Sequence, residues 1–165
     1  MKNILLFLLL ILSCSTTKYY KVADLQLELT RNAEQLRYIE QSVSADFDRK
    51  LGLFEKFSPR LKKSDYLSQE LGWRIKEMES KKSDVLSIGA RIKEANQELL
   101  KGINGKDQVS DREPIFQKIE AFGDSTTEEA KELFSAFDEY RSASASFTKI
   151  MLFSRSSLQG GAKNL

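Results

Sequence analysis

Histidine and cysteine, two side chains that commonly carry out catalysis, are almost missing from this chain. There is no histidine, which is the commonest general base and a frequent metal ligand. Cys14 is the single cysteine, so a disulfide within the chain cannot form. Nucleophilic triads of the usual kinds are therefore excluded. We expect a protein that is not an enzyme and that holds no cofactor and no metal.

The other candidates for chemistry are oxygen-bearing side chains close together in the sequence. Asp46 and Asp48 are two residues apart, so they do not face each other on a helix. Glu128 and Glu129 follow Ser-Thr-Thr in a capping-box pattern, which favours a helix N-terminus. The segment 104–107 lacks the spacing of a calcium loop. We interpret all of these residues as structural.

The first fourteen residues have the pattern of a secretory signal that ends at a cysteine. Lys2 supplies a positive charge, and residues 4–12 form an unbroken apolar run. The run is less than half of the roughly 20 residues that a membrane-spanning helix needs. It leads directly into the stretch Ile11-Leu12-Ser13-Cys14.

That stretch resembles the lipobox of bacterial lipoproteins, although Leu12 is bulkier than the usual occupant of its position. The resemblance covers residues 1–14 only. It implies cleavage between Ser13 and Cys14, a diacylglycerol thioether on the Cys14 sulfur and acylation of the new amino group. Two or more acyl chains anchor a protein stably, whereas one does not. The alternative is a signal that is processed differently, with an incidental cysteine.

Residues 14–21 are expected to be the lipidated cysteine and a polar tether. Tyr19 and Tyr20 lie between two lysines in this tether. A flexible linker is the preferred interpretation. The alternative is that the two rings lie at a lipid interface, where amphipathic aromatic side chains are favoured.

The rest of the chain has apolar residues three and four positions apart, which is typical of helices that pack along a seam. The pattern predicts helices over 22–57, 65–103, 114–122 and 126–158, followed by a flexible tail over 159–165. Asn32 and Lys82 each occupy a position in a seam. Isolated glycines such as Gly52 and Gly89 are expected to permit close packing.

These patterns predict an all-α protein that forms an elongated antiparallel three-helix bundle with coiled-coil-like seams. A helix of 36 residues is about 54 Å long at 1.5 Å per residue. Helices of this length need a packing partner for their apolar seams. Packing within one chain is the simplest solution, and a homo-oligomer is the alternative.

Three residues are candidate contacts with a partner. Trp73 lies off its seam, and packing against the third helix is preferred over an exposed contact. Lys149 and Arg155 belong to a C-terminal stretch without acidic residues, where apolar side chains alternate with basic ones. Such a helix can bind anionic lipid or an acidic partner. The preferred interpretation is that the cations suit the negative end of the helix dipole.

The formal net charge of +2 is too small to indicate a nucleic-acid partner. We expect a lipoprotein of the bacterial cell envelope, held by lipid on Cys14, with the outer membrane as its location. Its expected role is a non-enzymatic helical scaffold or protein-interaction module for an envelope or cell-wall partner. The alternatives are a surface-exposed ligand-binding lipoprotein, a membrane-active protein that uses its basic C-terminal helix, and an enzyme or transport component with a pocket.

Overall fold

The computed structural model describes residues 17–61, 66–123 and 127–161 of the chain. Within these ranges the protein is predominantly helical, with a very small antiparallel sheet of two strands. The elements in chain order are β1 (Tyr19–Lys21), α1 (Val22–Phe57), a 3-10 turn (Ser58–Arg60), α2 (Tyr66–Ile103), β2 (Gln108–Ser110), α3 (Pro114–Gly123) and α4 (Glu128–Gly161). The signal-like segment, Ser13 and Cys14 lie outside the described residues, as do the side chains of residues 155–161.

α1 buries a stripe of apolar side chains because they recur every three or four residues along one face. The buried apolar members are Val22, Leu25, Leu29, Leu36, Val43 and Phe47. Asn32, which the spacing places in the same stripe, is half-buried. The helix ends before Pro59, which has no N–H to continue the hydrogen-bond ladder. The chain tightens there into a 3-10 turn, with the Leu61 N–H donating to the Ser58 carbonyl at 3.2 Å.

α2 runs antiparallel to α1. Near one end of the pair, the Asn96 side chain donates to the Leu29 carbonyl at 3.0 Å. Near the other end, the Lys82 ammonium lies 3.5 Å from the Asp48 carboxylate. Lys82 is half-buried and reaches the helix surface with its charged end, while its nitrogen lies 4.6 Å from the centre of the Phe47 ring.

Gly89 permits a close approach between α1 and α2. A Cβ atom at this position would lie 2.5 Å from a carboxylate oxygen of Glu40 and 3.3 Å from Leu36. Gly52 was expected to have the same role, but nothing lies within 4 Å of the corresponding point. The packing interpretation therefore holds for Gly89 and is wrong for Gly52.

α4 runs antiparallel to α2 and parallel to α1. Ion pairs join Lys81 to Glu139 at 2.5 Å and Arg91 to Glu132 at 2.7 Å, so residue numbers rise on one helix as they fall on the other. The Tyr140 hydroxyl donates to the carbonyl of Val43 on α1 at 3.1 Å.

The start and end of α4 differ from the sequence prediction. The helix begins at Glu128 because Thr127 is its N-cap: the Thr127 hydroxyl oxygen accepts from the Ala130 N–H at 3.3 Å. The capping-box pattern instead predicted a start at residue 126. At the other end α4 continues to Gly161, so residues 159–161 are helical and do not belong to a flexible tail.

The last three residues of the predicted flexible linker form a strand, β1. Tyr20 in β1 pairs with Val109 in β2, within a segment that was expected to be a loop. Two hydrogen bonds extend the pairing: the Asp111 N–H donates to the Lys18 carbonyl at 2.9 Å, and the Lys18 N–H donates to the Asp111 carboxylate at 3.1 Å. The Tyr20 ring stacks on Phe116 of α3 with its centroid 4.2 Å away. The linker interpretation is therefore wrong from Lys18 onward, because these residues bond to the helical body.

Buried apolar side chains form two clusters along the length of the protein. The larger cluster joins α1, α2 and α4 and includes Val43, Met78 and Phe147. The smaller cluster joins the start of α1, the end of α2, β2 and α3. We call the end of the body that contains β1, β2 and α3 the proximal end. The distal end is where α1 ends, α2 begins and α4 ends.

Candidate functional sites

A cluster of polar side chains lies between α1 and α4, and we call it the Asp46 cluster. The carboxylate of Asp46 accepts hydrogen bonds from Ser144 at 2.7 Å, Lys50 at 3.0 Å and Tyr140 at 3.1 Å. The Lys50 ammonium also donates to the backbone carbonyl and the hydroxyl of Ser144. Arg49 completes the set at 2.6 Å from the second carboxylate oxygen. Lys50, Tyr140 and Ser144 are all buried.

The cluster perturbs two ionisable groups. Burial by itself would raise the pKa of Asp46, but hydrogen bonds from Ser144, Lys50 and Arg49 outweigh burial and lower that pKa to about 2. Burial, followed by the charge of Asp46, raises the pKa of the Tyr140 hydroxyl. At neutral pH the cluster therefore contains an ionised carboxylate and a phenol that keeps its proton.

The directions of the hydrogen bonds indicate what this cluster can do. A serine beside a lysine can act as a nucleophile with its base, provided that the lysine nitrogen can accept the hydroxyl proton. Here the Ser144 hydroxyl donates to Asp46, and the Lys50 ammonium donates to Ser144. The arrangement favours a charge network that holds α1 against α4. An open groove of about 890 Å³ borders the cluster and is lined by residues of these two helices.

Trp73 lies on the surface of α2. Its side chain is 52% exposed, and the Arg74 guanidinium lies 4.2 Å from the ring centre. Arg74 is itself held by Glu70 at 3.1 Å and Glu77 at 2.9 Å. The preferred prediction, that Trp73 packs against the third long helix, is therefore corrected. The ring is accessible, as the alternative interpretation requires.

The basic C-terminal helix is described in part. Lys149 is exposed, whereas the side chain of Arg155 lies outside the described residues. Leu152 and Phe153 are 60% and 64% exposed, while the neighbouring Met151 is buried. Because α4 is antiparallel to α2, these residues lie at the same end of the body as Trp73. We call Trp73, Lys149, Leu152 and Phe153 the distal surface.

A cavity of about 700 Å³ lies between the helices, near the break between α3 and α4. All four helices contribute to its lining, and we call it the interhelical cavity. Sequence reasoning found neither this cavity nor the Asp46 cluster. A signal for the cluster was present, because Asp46 and Lys50 are one helical turn apart and Ser144 is a polar residue within the apolar seam of α4.

Comparison of the chain with protein-family models, curated proteins and solved structures finds no match. Among the described residues, no three histidine, cysteine or acidic side chains are placed to hold a metal ion. None of the helices in the same part of the chain has the length and hydropathy needed to cross a bilayer. The interpretation of function therefore depends on the geometry of the chain and its N-terminal pattern.

Proposed function

We propose that this protein is an envelope lipoprotein, anchored by lipid on Cys14, whose helical body is a non-enzymatic scaffold or protein-interaction module. In this proposal the body is an elongated antiparallel three-helix bundle with coiled-coil-like seams: α1, α2, and α3 together with α4. The alternating directions of the long helices support that architecture. The large apolar cluster between α1, α2 and α4 supports it as well.

The distance between Cys14 and the helical body supports the proposal most strongly. Lys18, whose backbone bonds to Asp111, is only four residues after the cysteine. Four residues span at most about 14 Å when fully extended. A lipid on Cys14 would therefore hold the proximal end close to the bilayer surface, and the body would not move freely on a long linker.

An anchored body of this shape would carry its far end well away from the bilayer. α1 has 36 residues, which corresponds to about 54 Å. The distal surface would then be available to a partner in the envelope or the cell wall. Exposed aromatic and aliphatic side chains next to a cation suit a protein partner, since aromatic residues are enriched at the centres of interfaces.

Mass spectrometry of the mature N-terminus, isolated from the native membrane fraction, tests the anchor. We expect an acylated Cys14 terminus in the natural chain and in a Ser13→Ala control, which keeps a small residue before the cysteine. The acylated species should be absent from a Cys14→Ala variant. An unmodified terminus, or a chain that retains Met1, would refute the proposal.

A second candidate function is membrane activity or anionic-partner binding through the C-terminal part of α4. The exposure of Leu152 and Phe153 beside Lys149 favours it. Dye leakage from anionic vesicles, measured at low salt, tests this function. A Lys149→Glu, Arg155→Glu variant should lose the leakage, and a Lys131→Glu control near the other end of α4 should retain it. Equal leakage from all three chains would exclude the function.

Surface exposure is tested separately by protease digestion of intact cells. A scaffold inside the envelope should resist digestion until the outer barrier is opened. Digestion of the distal end on intact cells would instead favour a surface-exposed ligand-binding lipoprotein.

A further inference from the structure

The apolar core is divided into two clusters near the point where α3 ends and α4 begins. Leu29 and Val43 of α1 are fully buried on either side of this point. Between them Leu36 remains buried, whereas Asn32 and Ile39 are only half-buried. On α2, Ile92 is likewise only partly covered. The seam between α1 and α2 is thus less completely covered at Asn32, Ile39 and Ile92 than on either side.

The interhelical cavity lies at this less covered stretch. Its volume of about 700 Å³ lies within the roughly 300–1,000 Å³ that is usual for small-molecule sites. The apolar part of the lining comes from every helix and includes Leu36, Ile92, Leu99, Ile115, Phe122 and Leu133. The cavity is partly open to solvent, but a ligand within it would be contacted by side chains from four helices.

The polar residues of the cavity are mainly long side chains that extend towards solvent. Arg91, Glu98, Lys118 and Glu129 all contribute to the lining and are all exposed, and their formal charges cancel. Arg91 is held by an ion pair with Glu132. An apolar interior with a rim of both charges fits a ligand that has a hydrocarbon chain and a small polar head. It does not fit a sugar or a nucleotide, which require many polar groups deep in a site.

We propose that the interhelical cavity binds one aliphatic chain, supplied by a free fatty acid or by a membrane phospholipid. The chain packs on the lining and removes the exposed parts of Ile39 and Ile92 from water. The polar head lies at the rim among Arg91, Lys118 and Glu129. This site does not depend on lipid attachment at Cys14, and it goes beyond the scaffold function.

Photolabelling of the full chain tests the site. The chain is mixed with phosphatidylcholine vesicles that contain either photoactivatable palmitic acid or photoactivatable phosphatidylethanolamine. Labelled peptides are then identified by mass spectrometry. We expect adducts on peptides that contain Ile92, Phe122 or Leu133. Labelling by the first probe alone assigns a free fatty acid, and labelling by the second assigns a phospholipid chain.

Two variants that fill the cavity make the test specific. Ala95→Trp and Ala130→Trp each place a large ring in the lining. Labelling should fall roughly tenfold or more, because excluding two methylene groups from an apolar site weakens binding by about that factor. Ala145→Trp on α4, beside the Asp46 cluster and outside the cavity, is the matched control and should label normally.

Circular dichroism must show natural helix content and cooperative melting for both cavity variants, so that loss of labelling is not loss of folding. The proposal is overturned if neither probe labels the cavity peptides. It is also overturned if well-folded Ala95→Trp and Ala130→Trp chains label as strongly as the natural chain. Vesicle flotation of the same samples reports membrane anchoring independently, so failure of the anchor and failure of the cavity site are distinguishable.

Discussion

The carboxylate of Asp46 accepts a hydrogen bond from the Ser144 hydroxyl at 2.7 Å, although the two residues are 98 positions apart in the chain. The contact joins the first long helix to the last. Charge-assisted hydrogen bonds of this kind are stronger than those between neutral groups. Asp46 and Ser144 therefore contribute to the relative position of α1 and α4 in a way that apolar packing alone does not.

The first prediction concerns acid stability. The pKa of Asp46 is lowered from 3.8 to about 2 in the folded protein. The contribution of ionised Asp46 to the free energy of unfolding is therefore complete above pH 4 and is lost as the pH falls towards 2. We expect the free energy of unfolding to fall by about 1–2 kcal/mol from this group, after allowance for solvent screening. Urea unfolding, followed by circular dichroism between pH 7 and pH 2, measures this loss. An Asp46→Asn control should show a shallower decline over this range, and an identical decline would contradict the assignment.

The second prediction concerns the lysine that faces Asp46. Removing the carboxylate by Asp46→Ala leaves the buried Lys50 ammonium without its counter-charge and should cost about 2–3 kcal/mol of unfolding free energy. Adding Lys50→Met to that variant replaces the uncompensated charge with an apolar chain. We expect the double variant to recover at least about 1 kcal/mol. Strictly additive losses in denaturant titrations would show that the two residues are not coupled.

A third prediction follows from Asn96. Its side-chain nitrogen donates to the Leu29 carbonyl, but its side-chain oxygen is buried without a hydrogen-bond partner in the described part of the chain. An Asn96→Leu variant has similar volume and removes the unsatisfied oxygen, so its stability should be unchanged or raised by about 1 kcal/mol. Leu99→Ala, one turn later, should by contrast cost about 2–4 kcal/mol. A clear loss of stability in Asn96→Leu would contradict the prediction and show that the hydrogen bond to Leu29 outweighs the cost of the unsatisfied oxygen.

The fourth prediction concerns the strand pair at the proximal end. Val109 is fully buried and lies opposite Tyr20. Val109→Ala should cost about 2 kcal/mol because it leaves space beneath β2. Amide hydrogen exchange at Lys18 and Asp111, whose N–H groups are bonded across the pair, should accelerate.

The exposed neighbour Gln108 offers the matched control for the strand pair. Gln108→Ala should change stability by less than about 0.5 kcal/mol. If Val109→Ala leaves exchange at β1 unaltered, the strand pair does not depend on this buried side chain.

The long helices could be predicted from the sequence because their pattern repeats many times. Apolar spacing indicates α1 over 22–57, and the structure has Val22–Phe57. In a long helix the repeating apolar pattern remains recognisable despite a single polar residue such as Asn32. The strands are different, since each has three residues and its partner is almost 90 positions away. Nothing in so short a segment distinguishes a strand from a polar linker.

The candidate sites depend on contacts between helices, which periodicity does not specify. The sequence suggests a pairing of Asp46 only with Asp48, two residues away, whereas the partners Tyr140 and Ser144 lie on α4. The interhelical cavity results from the break between α3 and α4, and it could not be located before the packing of four helices was known. Trp73 was correctly placed off the seam, but only the structure shows that no helix covers it fully.

The position of Lys50 has a consequence for the order in which the protein assembles. α1 and α2 are adjacent in the chain and can pair early, because closing a short turn costs little entropy. Yet that hairpin alone leaves the Lys50 ammonium with Asp46 but without the Ser144 oxygens, which belong to α4. Synthesis must therefore reach the middle of α4 before the buried lysine obtains all of its partners. A chain truncated before Tyr140 would be an incomplete folding unit and a substrate for proteolysis.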